Sequence, residues 1–389
     1  MTEYSGVSRA VYLSYENGEL YDDGLGQEMY IKNIKLKNFR NYHDLALDFD
    51  EKINFIVGNN AQGKTNLIEG IFMSALGKSF RTVRDSELIN FDSDFCRIEV
   101  CAQKSLDDTA VEIIIRKDAG KAIKVDGTSI SKTSELLDNI YIVVFSPEDL
   151  KIVKEEPEKR RRFIDRELSI IKPLYYDSLS SYKKVLAQRN AYLKERQPEP
   201  SVLDIWDTQL SAYGARIISM RENFVEKVNR ISREIHKKIT DNRETLELTY
   251  DPNIKNGEEL ESVIYEELKN SFVNDLRLRT TTRGPHRDDL QFFINGINVR
   301  SFGSQGQQRT AALSLKLAEL SLIKEETGES AVLLLDDVMS ELDPQRQEFL
   351  IRSLDDIQLF ITATEITENL KPVVEKGKIL SVEGGKIRL

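Results

Sequence analysis

The segment Gly58-Asn59-Asn60-Ala61-Gln62-Gly63-Lys64-Thr65 carries the most specific chemistry in the chain. A glycine, four residues, then glycine, lysine and a hydroxyl is the spacing of a phosphate-binding loop, or P-loop. Such a loop cradles phosphates because its backbone N–H groups and the following helix N-terminus point at them. Lys64 then neutralises β- and γ-phosphate charge, and the Thr65 hydroxyl is a ligand for Mg²⁺. The other half of such a site is a carboxylate beside the loop. The apolar run Ala331 to Leu335 ends in Asp336-Asp337, as a strand delivering that carboxylate should. Asp336 reads as the Mg²⁺ ligand, and Asp337 stands where a general base for water belongs. A third segment, Ser304-Gln305-Gly306-Gln307-Gln308-Arg309, opens a helix expected from near Thr310. Serine and small residues at a helix N-terminus make a second phosphate cap. A polar helix cap is the competing reading of the segment alone; its place behind a P-loop and before a carboxylate strand favours the phosphate role.

These residues need strands and helices to hold them. The buried run Ile53 to Val57 leads into the P-loop, and after Gly63 the period changes: Leu67, Ile68, Ile71, Phe72, Ala75 and Leu76 share one helix face. Ile34 and Leu36, then Leu45, Leu47 and Phe49, alternate as strands, as do residues 97–116 and 121–125, with Asp126-Gly127 as a hairpin turn. Tyr141 to Phe145 and residues 359–363 read as further buried strands. After Pro147 the texture turns helical, near 158–169 and 174–196, broken by Gln197-Pro198-Glu199-Pro200. Trp206, Leu210, Tyr213, Ile217, Met220, Phe224, Val228, Ile231 and Ile235 then recur at threes and fours, predicting one long helix folded back on its predecessor. That stripe suits a core face or an interface, the former being the commoner. The organisation predicted is α/β: a head from 29–146 and 283–389 with an inserted, mainly helical lobe from 147–282. Residues 1–28 lack the order of a signal peptide and are expected to be a tail, a tag or a misplaced start.

Composition narrows the partners. With 55 Lys and Arg against 65 Asp and Glu, the net charge of −10 argues against coating nucleic acid through global positive charge. No apolar run approaches the ~20 residues of a membrane span, and the two cysteines, Cys96 and Cys101, fall on opposite faces of one strand, so a cytoplasmic, reducing location is expected. The best local nucleic-acid candidate is Lys159-Arg160-Arg161-Arg162, at the start of a helix where cations oppose the dipole. Helical pairs of Glu158 with Arg162 and Arg161 with Asp165 are the competing explanation. Lys183, Lys184, Arg189, Arg230, Arg233, Lys237 and Lys238 extend the basic stripe or are solvated faces.

The segment from Ser304 to Gln307 resembles the signature of ABC-type ATPases, and Ser340-Glu341-Leu342-Asp343 resembles their D-loop. From Met29 to Leu389 the chain resembles the RecF family of bacterial recombination-mediator ATPases. The matching pieces are Asn38-Phe39-Arg40-Asn41-Tyr42, the P-loop, Phe145-Ser146-Pro147-Glu148-Asp149-Leu150, Arg160-Arg161-Arg162-Phe163, Gly284-Pro285-His286-Arg287, the signature and Leu335-Asp336-Asp337. The resemblance implies an SMC-like, ABC-type head without a long coiled coil, binding ATP and Mg²⁺ and dimerising on ATP, with the signature facing the partner's γ-phosphate. It implies DNA binding at junctions of duplex and single strand, help to RecO and RecR in loading RecA during DNA repair, replication and the SOS response, and slow, DNA-stimulated hydrolysis. Arg40 would touch the nucleotide, unless it is only a surface strand arginine. Two departures from the broader ABC pattern point to a timer rather than a motor. Asp337 replaces a glutamate and is shorter by about one C–C bond of ~1.5 Å, and misplacement by about 1 Å can cost ~10²-fold in rate. His43, His236 and His286 all lie away from the end of strand 359–363, where ABC ATPases keep a switch histidine and this chain has Thr362 and Thr364. The competing functions are the nucleotide-binding subunit of an ABC transporter and a P-loop phosphotransferase.

Overall fold

A computed structural model describes residues 14–16, 19–21, 29–105, 107–195, 198–255, 257, 259–354, 357–366 and 377–388. Most of the expected tail and Gln197 lie outside the described residues. Within the tail, β1 (Ser14–Glu16) pairs with β2 (Glu19–Tyr21). The first large sheet is antiparallel, in the order β4 (Tyr42–Asp48), β3 (Tyr30–Phe39), β6 (Phe95–Gln103), β7 (Asp108–Arg116), β8 (Gly120–Val125), β9 (Thr128–Ser129). One face is buried, so β7 alternates: Val111, Ile113 and Ile115 are buried. Asp126 and Gly127 both take positive φ in the turn joining β8 to β9, as a two-residue hairpin demands. Both cysteines are free.

The second large sheet positions the chemistry. Its order is β10 (Ile142–Phe145), β14 (Val332–Leu335), β15 (Leu359–Ala363), β5 (Ile53–Val57), β16 (Lys378–Glu383), β17 (Lys386–Arg388), parallel up to β16. Layers on both faces explain the unbroken apolar runs of β10 and β14. In such sheets ligands gather beyond the carboxyl ends of the strands, where β5 gives way to the P-loop and β14 to Asp336.

The lobe is built on α2 (Pro157–Ile171), α3 (Pro173–Tyr192) and α4 (Pro200–Ile239), each with proline in its first turn, where the missing N–H costs nothing. At 40 residues, α4 runs about 60 Å. It packs on α3, on α5 (Leu260–Asn270), on β11 (Leu246–Asp251) and on α8 (Gln305–Thr327). Leu210, Ile217, Phe224 and Val228 are buried and the rest of the stripe packs against the same core, so it is a core face. A short α6 (Phe272–Leu278) follows α5. The strand after Gly284 departs from the expected division at 282/283. β12 (Asp289–Ile294) pairs with β11 on one side and β13 (Ile297–Asn298) on the other, so the lobe keeps these strands. Alternation marks a strand without naming its neighbour. The chain then passes through α7 (Val299–Phe302) and α8 to β14, and later α9 (Pro344–Arg352).

Arg189, expected on a basic surface stripe, is instead fully buried, paired with Asp207 at 2.6 Å and Asp275 at 2.7 Å. Arg221 is likewise buried against Asp165 and Asp288. Their guanidinium forks join α3, α4 and the segment before β12 through charges that are paired because they are out of water.

Candidate functional site

The P-loop is held open by its neighbours. Gly63 has φ 122°, and a Cβ there would lie 2.6 Å from the Asn41 amide nitrogen. A Cβ on Gly58 would lie 2.4 Å from the Val382 carbonyl, so β16 closes against the loop only because glycine stands there. Asn41 donates to the Gln62 carbonyl at 2.8 Å and Tyr42 to the Gly63 carbonyl at 3.1 Å. These two residues brace the loop, as does Gly384, whose N–H donates to the Gln62 side chain at 2.7 Å. Lys64 is buried and its Nζ donates to the Gly58 carbonyl at 2.8 Å and that of Asn59 at 3.2 Å. Its charge thus sits inside the curve of the loop.

The Thr65 hydroxyl donates to Asp336 Oδ1 at 2.9 Å, joining residues 271 positions apart. Burial pushes the Asp336 carboxyl above its usual pKa, and the Asp337 charge adds to this, against hydrogen bonds from Thr65 and Thr362 that lower it. No ion pair among the described residues includes Asp336. A desolvated carboxylate without an ion-pair partner among the described residues, touching a hydroxyl, fits Mg²⁺, which takes one or two protein oxygens and completes its shell with phosphate and water. Asp337 takes a left-handed conformation, φ 53°, and its N–H donates to Thr362 Oγ1 at 2.7 Å. That hydroxyl lies 3.1 Å from Asp336 and 3.3 Å from Asp337. Thr362 therefore sets both acids, a role unreadable until β15 is known to lie beside β14.

Ser304 is itself the N-cap of α8, which starts at Gln305, earlier than the expected Thr310. Its Oγ accepts from Gln307 N–H at 3.2 Å while the Gln307 side chain accepts from Ser304 N–H at 3.0 Å, a capping box. The D-loop lies alongside. Arg309 bonds to Glu341, Ser340 donates to the Asp337 carbonyl, and Arg346, paired with Asp343, reaches the Gly306 carbonyl at 3.1 Å. Among the described residues no hydrogen bond joins Ser304–Gln308 to Gly58–Thr65. The loop with its paired acids and the Ser304 cap are therefore separate within the chain.

Residues 30–383 match the model of the RecF/RecN/SMC N terminal domain family. The chain is 46% identical over 366 residues to the DNA replication and repair protein RecF of Alkaliphilus oremlandii, covering 92% of this chain and all of that one. Identity to RecF of Clostridium tetani is 45% over 364 residues, 92% of this chain and 99% of the other. The chain belongs to the RecF family. A solved structure of the recombination mediator protein RecF with ATP superposes with a TM-score of 0.86 at 36% identity, covering 95% of this chain and 99% of that one. The Smc head domain of Pyrococcus furiosus matches at a TM-score of 0.52 and 17% identity, covering 92% of this chain and 95% of that one, which shows the fold alone. Likeness to RecF over its full length displaces the transporter and phosphotransferase readings.

In this RecF-family chain two expectations need revision. Arg160 is 1% exposed, clasps Asp289 through two bonds of 2.6 and 2.8 Å, and donates to the Glu155 carbonyl. It ties α2 to β12 and has no surface to offer DNA. Arg161 is partly buried and donates to the Asp288 carbonyl at 2.7 Å, whereas Asp165 is engaged by Arg221, Lys183 and Tyr175; the pair expected between Arg161 and Asp165 does not form. Arg162 pairs with Glu158, and Lys159 is exposed. Arg160→Ala is therefore expected to cost about 3 kcal/mol, the low end for a broken buried pair because Asp289 keeps some water contact. Urea unfolding measures it; an unshifted midpoint would return Arg160 to the surface. Arg40, with φ 53°, gives Nε and Nη2 to Glu69 at 2.9 and 2.7 Å and Nη1 to the Glu87 carbonyl. It is anchored on α1 (Lys64–Leu76) rather than free on a strand surface.

Proposed function

We propose that this chain is an ATP-gated DNA clamp of recombinational repair, closing as a homodimer with two shared nucleotide sites. One observation carries the reading: the P-loop with its paired acids and the Ser304 cap are each fully built, yet they are disjoint within one chain. Two copies related by a two-fold axis complete both sites at once, since an isologous contact pairs each patch with its complement. Each copy holds ATP through Gly58 to Thr65, Mg²⁺ through Thr65 and Asp336, and orients water with Asp337. Ser304, Gln305, Gly306 and Gln307 meet the partner's γ-phosphate, with Ser340 and Asp343 at the seam. Family likeness supports the wider role: binding duplex and single-stranded DNA at their junctions and assisting RecO and RecR in loading RecA, with slow hydrolysis as the release step. Exposed Lys159 and Arg162 remain DNA candidates.

Sedimentation with ATP, ADP or no nucleotide, with and without gapped DNA, tests the clamp. Dimer is expected with ATP alone, strengthened by gapped DNA, and monomer in the other two states. A nucleotide-independent monomer or dimer would refute it.

A further inference from the structure

We propose that Glu244 is a positioning residue for the shared site: from the turn between α4 and β11 it fixes the amide of Gln307 and so sets the cap that the partner's nucleotide meets. This rests on the shared-site reading. Gln307 Nε2 donates to Glu244 Oε1 at 2.9 Å, and Gln307 Oε1 accepts from Ser304 N–H at 3.0 Å. A glutamine amide has one donating and one accepting end, so Glu244, which only accepts, and the Ser304 N–H, which only donates, hold it in the same orientation from its two ends. Without it only the Ser304 N–H holds the amide, and the side-chain half of the capping box is weakened.

Glu244 is itself held. Its Oε2 lies 3.3 Å from Nε2 of His236, a fully buried ring in the last turn of α4. The other nitrogen, Nδ1, lies 3.0 Å from the Ser314 hydroxyl on α8. Burial lowers the His236 pKa and favours the neutral ring. Nε2–H then donates to Glu244, and Nδ1 faces the Ser314 hydroxyl, whose one proton lies between that nitrogen and the Thr310 carbonyl at 2.8 Å. Thr240 completes the turn, donating to the carbonyls of His236 and Glu244. Beside this chain a cavity of about 340 Å³, lined by Arg243, Glu244, Ser304, Gly306 and Arg346, opens at the cap. The 40-residue helix of the lobe thus ends on the signature through a side chain. Movement of that helix end reaches the partner's nucleotide without passing through the central sheet.

The test reads dimerisation apart from nucleotide binding. Sedimentation with ATP gives the dimer dissociation constant, and fluorescent ATP at low protein concentration gives binding to the monomer. Glu244→Ala is expected to bind nucleotide as wild type does while weakening the ATP dimer about ten-fold, as loss of a charge-assisted bond should. Gln307→Glu sets two carboxylates face to face and should weaken it further. Glu244→Gln combined with Gln307→Glu restores both bonds with the donor and acceptor exchanged: the glutamate introduced at 307 accepts from Ser304 N–H and from the new amide at 244. That pair should dimerise several-fold more tightly than Gln307→Glu alone, which carries the same charge toward the phosphate, a coupling no general loosening of the turn would produce. Normal dimerisation of Glu244→Ala, with Ser304→Arg defective, would overturn the role of Glu244. So would a double variant no better than Gln307→Glu, which decides the matter even if circular dichroism shows Glu244→Ala unfolded. Normal dimerisation of Ser304→Arg would instead refute the shared site.

Discussion

Mixing Lys64→Met protein with Ser304→Arg protein should return up to about half of the wild-type ATPase per heterodimer from two inactive parents, because a two-fold dimer distributes the lesions unequally. Lys64 is expected to act on the nucleotide of its own chain, since its Nζ lies within the loop, against the Gly58 and Asn59 carbonyls. Its loss should abolish nucleotide binding in the monomer. Ser304 is exposed and makes no bond to its own P-loop. Arginine there removes the cap, a local cost of about 1 kcal/mol, and puts a long cation where a partner's loop must close. That variant should bind ATP yet fail to pair. In the mixed dimer one site carries both lesions and the other neither, so one intact site survives. The recovery is smaller if the two sites close cooperatively, and Ser304→Ala serves where arginine blocks all pairing. Normal hydrolysis by monomeric Ser304→Arg would reduce the signature to a helix cap.

Asp337→Asn should lower kcat by roughly 10²–10⁴-fold, the range for removing a general base, while leaving an ATP-bound dimer. The substitution is conservative where it matters. Asparagine tolerates left-handed backbone as aspartate does, so the φ of 53° and the N–H bond to Thr362 can both persist. Asp336, the proposed Mg²⁺ ligand, should even be relieved, since the neighbouring charge that raises its pKa disappears. Wild-type kcat itself is expected well below the ~10 s⁻¹ enzyme median, given the short acid and a threonine where a switch histidine would stand. Single-turnover hydrolysis and sedimentation on the same samples separate the two effects. Full activity in Asp337→Asn would move the base elsewhere.

The loop from Gly58 to Thr65, with its strand before and helix after, was legible before any fold, because it lies in contiguous backbone and in two adjacent side chains, Lys64 and Thr65. The same holds for Ser304, whose cap is closed by Gln307 three residues on, and for the buried strands, whose unbroken apolar runs announce helices on both faces. Burial of α4 also followed from its period. What sequence left open were matters of partnership across the chain. Four cations at the start of α2 look alike in one dimension. Only the return of β12 makes Arg160 a buried tie to Asp289 and leaves Lys159 and Arg162 at the surface. Arg189 and Arg221 went the same way, as their carboxylates lie at separations from 18 to 86 residues. Thr362 became part of the site through strand order, and Glu244 through the turn that brings the end of α4 to the signature. Local hydrogen bonds and periodicity belong to neighbours in sequence, whereas the partner of a charge is chosen by packing, and packing is a property of the whole chain.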